Sequence, residues 1–422
     1  MKRWKALLLC GVMLCLGTAG YAWHSRQTDA PTAPQHVIRV VLWDYGTVTY
    51  DKRMVEAFEQ ENPDVRVEVI SYPPTYYNSS LEALLDSGER VDVIYVNQLP
   101  ELVGLYARDI PLPLDELVER DGIDLSVYPD TGVLRQDGRL MALPYRQDKF
   151  VLYYNIDLFD EAGIPYPEEG MTWDAFRETG KQLTDRLGKG RFGVSLLKKE
   201  EHMCRYMLDA PPDWSKDDFS KLRPGLELWR ALEQDGSIPR LTDSDTQQFS
   251  QRMFETGAFG MFVHGSWYMN FLMADRKAGR FNFRWGVVSK PRWTDGAAPV
   301  NDAWVTPVCI NRNSGEQEAA WRFVKFVSGP EGARILAEEL VIPAYHSAGT
   351  DAALARTARE NGIDPAVCLE GFAPPQVAPD AQGRQILDAL CTGYGRALLG
   401  LDGIGESIDA MQRERARILH SP

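Results

Sequence analysis

The sequence predicts an α/β protein built in two lobes, the first around a parallel sheet with helices on both faces. Between positions 37 and 96 the pattern runs strand, helix, strand, helix, strand, the order that yields such a sheet. The roughly 385 residues from Val37 onward are too many for one core, which sets two lobes as the expectation. Composition is ordinary for a globular chain, with 44% hydrophobic and 10% aromatic residues.

The elements follow in order. Val37 to Trp43 is a β-branched, apolar run, the signal of a buried strand. A helix is predicted from about Lys52 to Glu61. It ends at Asn62-Pro63, because proline disfavours helix in the residue before it. Val65 to Ile70 alternates as a second strand, Leu81 to Leu85 is helical, and Val91 to Val96 is a third strand. Lys149 to Asn155 is another strand. Thr172 is placed to cap the helix in which Trp173, Phe176, Leu183 and Leu187 recur. Phe259 to Val263 is a short buried strand after Gly257, and Gly265-Ser266-Trp267 turns the chain into a helix. Ser314-Gly-Glu-Gln has the form of a capping box, with Gln317 reaching back. Ala320, Phe323, Val324 and Val327 form the stripe that follows it, and the last helix spans Gly405 to Leu419.

The N-terminus sets the compartment. Lys2, Arg3 and Lys5 precede an uncharged stretch from Ala6 to Trp23, and Gly20 and Ala22 supply the small residues of a cleavage site. Residues 1–22 are therefore expected to be a secretory signal, with an uncleaved anchor as the alternative. Leu9 precedes Cys10 and Leu14 precedes Cys15, so neither cysteine has the small neighbour that lipid attachment needs. Residues 23–36, with Pro31 and Pro34, read as a linker. The remainder is expected to be exported and soluble, periplasmic or extracellular.

Net charge is −14, and loss of the signal would remove three positive charges more. Such a balance argues against nucleic acid, which calls for basic stripes. Cys204, Cys309, Cys368 and Cys391 are dispersed, and three pairings or free buried thiols all remain open. No P-loop, no GxSxG elbow and no HExxH is present. Asp243-Ser244-Asp245 begins like a calcium loop but lacks its glycine and closing glutamate, so a helix cap is the better reading. Glu168-Glu169 reads as a solvated pair. Tyr153-Tyr154 reads as strand core, since no clustered His or carboxylates accompany it to bind iron. Neither a cofactor nor a metal is expected.

Several segments in order resemble the family 1 extracellular solute-binding proteins, the maltose-binding-protein-like receptors of ABC importers. They are Ile38-Arg-Val-Val-Leu-Trp-Asp, Phe58-Glu-Gln-Glu-Asn-Pro and Gly88-Glu-Arg-Val-Asp-Val-Ile. Gly138-Arg-Leu-Met-Ala-Leu-Pro, Leu152-Tyr-Tyr-Asn, Ala162-Gly-Ile-Pro and Thr172-Trp-Asp-Ala-Phe continue the series. Phe254-Glu-Thr-Gly-Ala-Phe-Gly-Met, Gly265-Ser-Trp, Ala319-Ala-Trp-Arg-Phe-Val-Lys-Phe-Val and Ile342-Pro-Ala complete it. Each piece is weak alone, and their order over nearly the whole mature chain is what carries the resemblance.

The resemblance implies a two-lobed periplasmic-binding-protein type II fold with the ligand in a cleft between the lobes. It assigns residues 37–147 plus 303–345 to one lobe and 148–302 plus 346–422 to the other. It implies a monomeric receptor, not an enzyme, that binds a mono- or oligosaccharide and docks on ABC permease subunits in the membrane. An exported carbohydrate-active enzyme, a receptor that docks on a sensor kinase, and a receptor for a polyol or glycerol phosphodiester remain alternatives.

A sugar offers hydroxyls and apolar C–H faces, so its binder wants flat aromatics with a few acceptors and amides. Trp267, after the Gly-Ser turn where the family presents a cleft tryptophan, is the first candidate, and Trp304 is a second stacking wall. Asp148 lies just after Leu143-Pro144, where relatives carry a ligand carboxylate. Asp44 and Tyr45 end the first strand, and Asn97 and Gln98 end the third, at the carboxyl edge where α/β sheets bind ligands. Tyr145 and Arg146 are weaker candidates, and Tyr394 lies near where relatives place a late aromatic.

Overall fold

The protein is described here from a computed structural model. It covers residues 34–97, 99–129, 131–196, 204–205, 207–209, 213, 216, 218–239, 252–294, 304–372 and 381–420. The expected signal, Gln98 and the Asp243–Asp245 run lie outside the described residues.

The first sheet grows from the run predicted at the start. Strand β1 (His36–Trp43) leads into helix α1 (Tyr50–Glu61), strand β2 (Val65–Tyr72), helix α2 (Tyr77–Asp86) and strand β3 (Val93–Tyr95). Both β2 and β3 pair with β1 in parallel. Strand β4 (Leu143–Asp148) and the late strand β9 (Trp304–Ile310) complete the order β2-β1-β3-β9-β4. Because β9 runs antiparallel to β3 and β4, the sheet is mixed and not wholly parallel. The returning strand comes from the far part of the chain, which no local pattern announces.

The second sheet has the order β8-β5-β7-β6, from β5 (Phe150–Asn155), β6 (Phe192–Leu196), β7 (Phe259–Gly265) and β8 (Trp285–Ser289). It is covered on both faces. Phe150 and Leu152 enter one core with Met261 and Val263, while Val151 and Tyr153 enter another with Phe259 and Phe262. The period of two along β5 divides its side chains between the cores. Tyr153 is fully buried, and its hydroxyl donates to Gly265 O at 2.9 Å, the behaviour of a satisfied core tyrosine.

Helix α3 (Trp173–Leu187) starts as expected, with Thr172 Oγ1 accepting from Ala175 N. The capping box expected at Ser314 does not form. Ser314 Oγ accepts from Glu316 N at 2.9 Å while donating to Asp92 Oδ1 at 2.5 Å, and Gln317 Nε2 donates to Arg312 O, so the reciprocal pair of the box is not made. The helix there, Gln317–Ser328, begins with Glu316 at its cap and no side-chain cap bond. Glu169 is tied as well, its Oε1 accepting from Ser289 N at 2.9 Å. Tyr394 is fully buried in helix Ala381–Leu398, within a core of the second sheet. Cys204, Cys309, Cys368 and Cys391 are free thiols.

The chain passes between the sheets at three places. One is Lys149, the single residue between β4 and β5. A second lies between β8 and β9. The third follows Ile342, whose carbonyl accepts from Gln147 N at 3.1 Å and beyond which Gln147 Nε2 meets His346 Nε2 at 2.6 Å. The β4–β9 ladder shifts register between Thr306 and Pro307. Pro307 faces Pro144 and Thr306 faces Arg146, which leaves Tyr145 as the extra residue of a bulge.

Candidate ligand cleft

At the carboxyl end of β1 the chain turns sharply. Asp44 takes a left-handed backbone, φ 60°, and its carbonyl accepts from Thr47 N and Val48 N at 2.8 and 3.2 Å. A non-glycine residue held in that region is strained, a state that clusters at ligand sites. The turn delivers Tyr50 and Asp51 at the start of α1, both buried. Trp43 and Tyr45 are half-buried beside them, and Tyr45 N donates to Ser71 Oγ at 3.2 Å.

Arg146 reaches this turn from the bulged end of β4. Its Nη1 donates to Tyr50 Oη at 2.7 Å, its guanidinium lies 5.8 Å from the Trp43 ring centre, and its Nε stands 3.4 Å from Asp148 Oδ2. The neighbouring Tyr145 donates its hydroxyl to Asp51 Oδ1 at 2.6 Å. Three carboxylates thus share the field of one cation. Burial raises the Asp44 carboxyl, with Arg146 opposing. Burial pushes Asp51 up to about 6 against the Tyr145 bond and Arg146. Burial also raises Asp148, against Arg146, Ser266 and the Trp267 backbone. Loss of water disfavours the charged form of each.

The other wall is aromatic. Trp267 stands at the N-terminus of helix α4 (Tyr268–Lys277), after the Gly-Ser turn that closes β7. Trp304, the β9 partner of Asp148, brings its ring to 5.2 Å from Trp267 at 52°. Buried Phe150 backs both, at 6.2 and 5.3 Å. Both indoles keep part of their surface open.

The structure therefore brings Asp44, Asp148, Trp267 and Trp304 into one connected cluster through Arg146. Tyr45 and Asn97 lie at the same edge of the first sheet, half-buried, after β1 and β3. Asp148 is only 1% exposed. Tyr145 and Arg146, ranked low from sequence, prove central to the cluster. Trp43, Tyr50 and Asp51 were not anticipated; the signal available for them was the short turn between the first strand and first helix, which presents consecutive residues to the rim. A separate cavity of about 380 Å³, lined by Met273, Arg276, Lys277, Trp285, Glu360 and Asn361, shares no residue with this cluster. Among the described residues no group of three or more His, Cys, Asp or Glu is arranged to hold a metal ion.

Comparison with known proteins fits this geometry. A protein of Brucella abortus (strain 2308), named only as a binding protein, is 26% identical over 342 residues, 78% of this chain and 77% of that one. The arabinooligosaccharide-binding protein of Halalkalibacterium halodurans is 29% identical over 159 residues, 36% of this chain and 34% of that protein. Among solved structures, a sugar transporter from Rhizobium etli in an open conformation superposes with a TM-score of 0.73 at 27% identity, covering 90% of this chain and 99% of its own. The family model for the bacterial extracellular solute-binding proteins matches residues 45–334, from the turn after β1 to beyond the return strand. On that match, which takes in every residue of the cluster but Trp43 and Asp44, the chain belongs to the bacterial extracellular solute-binding protein family.

Proposed function

We propose that this protein is the receptor of an ABC importer, closing its two lobes on a carbohydrate and delivering it to a membrane permease. The observation that carries the reading is the pairing of two partly open tryptophans with a strained, half-buried aspartate across one cation. Flat rings suit the C–H faces of a sugar, and carboxylate and amide groups suit its hydroxyls. In this reading Trp267 and Trp304 stack on the ligand, and Asp44, Tyr45, Asn97 and Gln98 engage its hydroxyls. Asp148 belongs to the same site. A similar sugar transporter and arabinooligosaccharide-binding protein support the ligand class.

The lobes comprise residues 37–147 with 303–345, and 148–302 with 346–422. Closure turns on the crossings at Lys149, before Trp304 and after Ile342, a hinge of the usual kind. The protein binds without transforming its ligand and works as a monomer outside the cytoplasm, carried there by the N-terminal segment. No described helix is long and apolar enough to cross a membrane.

A thermal-shift screen across sugars, polyols and phosphorylated compounds is the test, because a ligand that binds only the native state raises the melting temperature. Stabilisation by neutral saccharides is the expected result. Stabilisation by phosphorylated compounds alone would overturn the carbohydrate reading, and recovery of a cleaved sugar after incubation would overturn the non-catalytic one.

A further inference from the structure

We infer that Asp148 is a positioning residue: its buried carboxylate fixes the pose of Trp267 and ties it to Arg146, and it does not touch the ligand. The purpose given to Trp267 rests on the carbohydrate-receptor reading; the geometry does not.

Asp148 Oδ1 accepts from Ser266 Oγ at 2.8 Å, and the carboxylate also accepts the backbone N–H of Trp267. Oδ2 faces the Arg146 guanidinium. A carboxylate has about four acceptor positions. With 1% of the residue exposed, two hydrogen-bond donors already on the carboxylate and the Arg146 guanidinium 3.4 Å from Oδ2, almost none of its surface is open to a solute hydroxyl. Asp44 is the contrast, half-buried at the rim.

The donors are themselves held. Ser266 N donates to Lys149 O at 2.8 Å, and Ser266 Oγ accepts from Lys149 N at 3.2 Å. Asp148-Lys149 and Ser266-Trp267 therefore close a ring of hydrogen bonds across the start of α4. The first N–H groups of a helix have no partner within it, and a carboxylate is favoured at that end. The indole of Trp267 lies flat on Gly265, where a Cβ would come within 2.0 Å of Cζ3. Asp148 thus fixes the backbone of Trp267, and Gly265 leaves room for its ring. Since Arg146 also holds Tyr50, the same carboxylate joins the aromatic wall to the turn after β1.

The test uses the full chain labelled with 5-fluorotryptophan and read by ¹⁹F NMR without ligand, the Trp267 resonance being assigned from W267F. D148N and S266A are expected to shift or broaden that resonance and to leave those of the core residues Trp173 and Trp321 in place; S266T is expected to restore it. An unmoved Trp267 resonance in both D148N and S266A overturns the inference, and S266A serves where D148N fails to fold. Lactose and arabinotriose are then titrated by calorimetry. S266A is expected to weaken whichever binds by roughly 5-fold, the value of one hydrogen bond. In a W267A background D148N is expected to cost nothing further. An equal loss from D148N with and without Trp267 would mean direct contact and would overturn the inference. Failure of both sugars to bind counts against the carbohydrate reading, while the ¹⁹F result still decides the role of Asp148.

Discussion

Around the turn after β1 the groups of the cluster are charged and share one cation, whereas at the start of α4 they are aromatic and fixed by backbone. Asp44, Asp51 and Asp148 surround Arg146, and burial raises all three carboxyls. Trp267 and Trp304 lean on Phe150 and on a glycine. The charged side is adjustable, since protons and a ligand's hydroxyls can redistribute its field. The aromatic side offers area and little freedom. A receptor that must bind and then release can use both: dispersion for affinity, and a polar balance that closure changes.

The comparison breaks hardest at Arg146. Arg146→Met removes the cation whose field the three carboxylates share and is expected to destabilise the fold by about 3–5 kcal/mol, the cost of breaking a buried ion pair from one side. Urea unfolding measures it. A loss below about 1 kcal/mol, the range of surface pairs, would mean the carboxylates never relied on this guanidinium.

Next comes Trp267→Ala. Affinity for the cognate sugar is expected to fall by about 2–4 kcal/mol, typical of a hot-spot aromatic, which is on the order of 30- to 1000-fold. Melting temperature is expected to drop less than for a core tryptophan, where truncation costs about 3–5 kcal/mol. Intact binding with a collapsed melting temperature would make the aromatic wall a core.

The two regions also respond oppositely to pH. Asp51 is raised from 3.8 to about 6, so its contribution is present below the unfolded value and is lost as pH rises through 6. Lys149, beside the aromatic wall, is lowered by burial from 10.5 to about 8. Its contribution is present above 10.5 and is lost as pH falls through 8. Each amounts to roughly 3 kcal/mol by linkage. Asp51→Asn should remove the decline between about pH 4 and 6, and Lys149→Met the rise above about pH 8, in unfolding free energies measured across that range. Unchanged pH profiles would show that these groups titrate alike folded and unfolded.

The smallest effect is expected at Gly265. Gly265→Ala puts a Cβ into the Trp267 ring and should cost about 1–3 kcal/mol of stability, as overpacking does. Ligand affinity should fall with it. Full affinity at reduced stability would separate the ring's packing from its binding.

The sequence announces those parts of the molecule in which neighbours in the chain are neighbours in space. The run to Trp43, the proline that ends α1, the Thr172 cap and the turn before Trp267 are all local events and appear where expected. The box at Ser314 does not close because the Gln317 side chain reaches Arg312 O instead, and the serine oxygen takes the nearer Glu316 N–H. Trp43, Tyr50 and Asp51 were missed for a different reason. A tyrosine and an aspartate at a helix start look like surface residues until Arg146 and Tyr145 arrive from nearly a hundred positions later. Arg146 itself was underrated because a lone arginine in a strand carries no pattern.

The bulge at Tyr145 has an evolutionary consequence. Side chains of a strand alternate between faces, so one residue gained or lost reverses every side chain beyond it. Arg146 and Asp148, two positions apart, share a face as in any strand, and the extra residue Tyr145, opposite the Pro307–Thr306 step, sets which face that is relative to Leu143 and Pro144. Deleting one position there would turn both away from Tyr50 and Ser266 without altering either residue. This strand should therefore tolerate exchanges of residue far better than any change of length, and descendants that vary their ligand should do so by substitution along it.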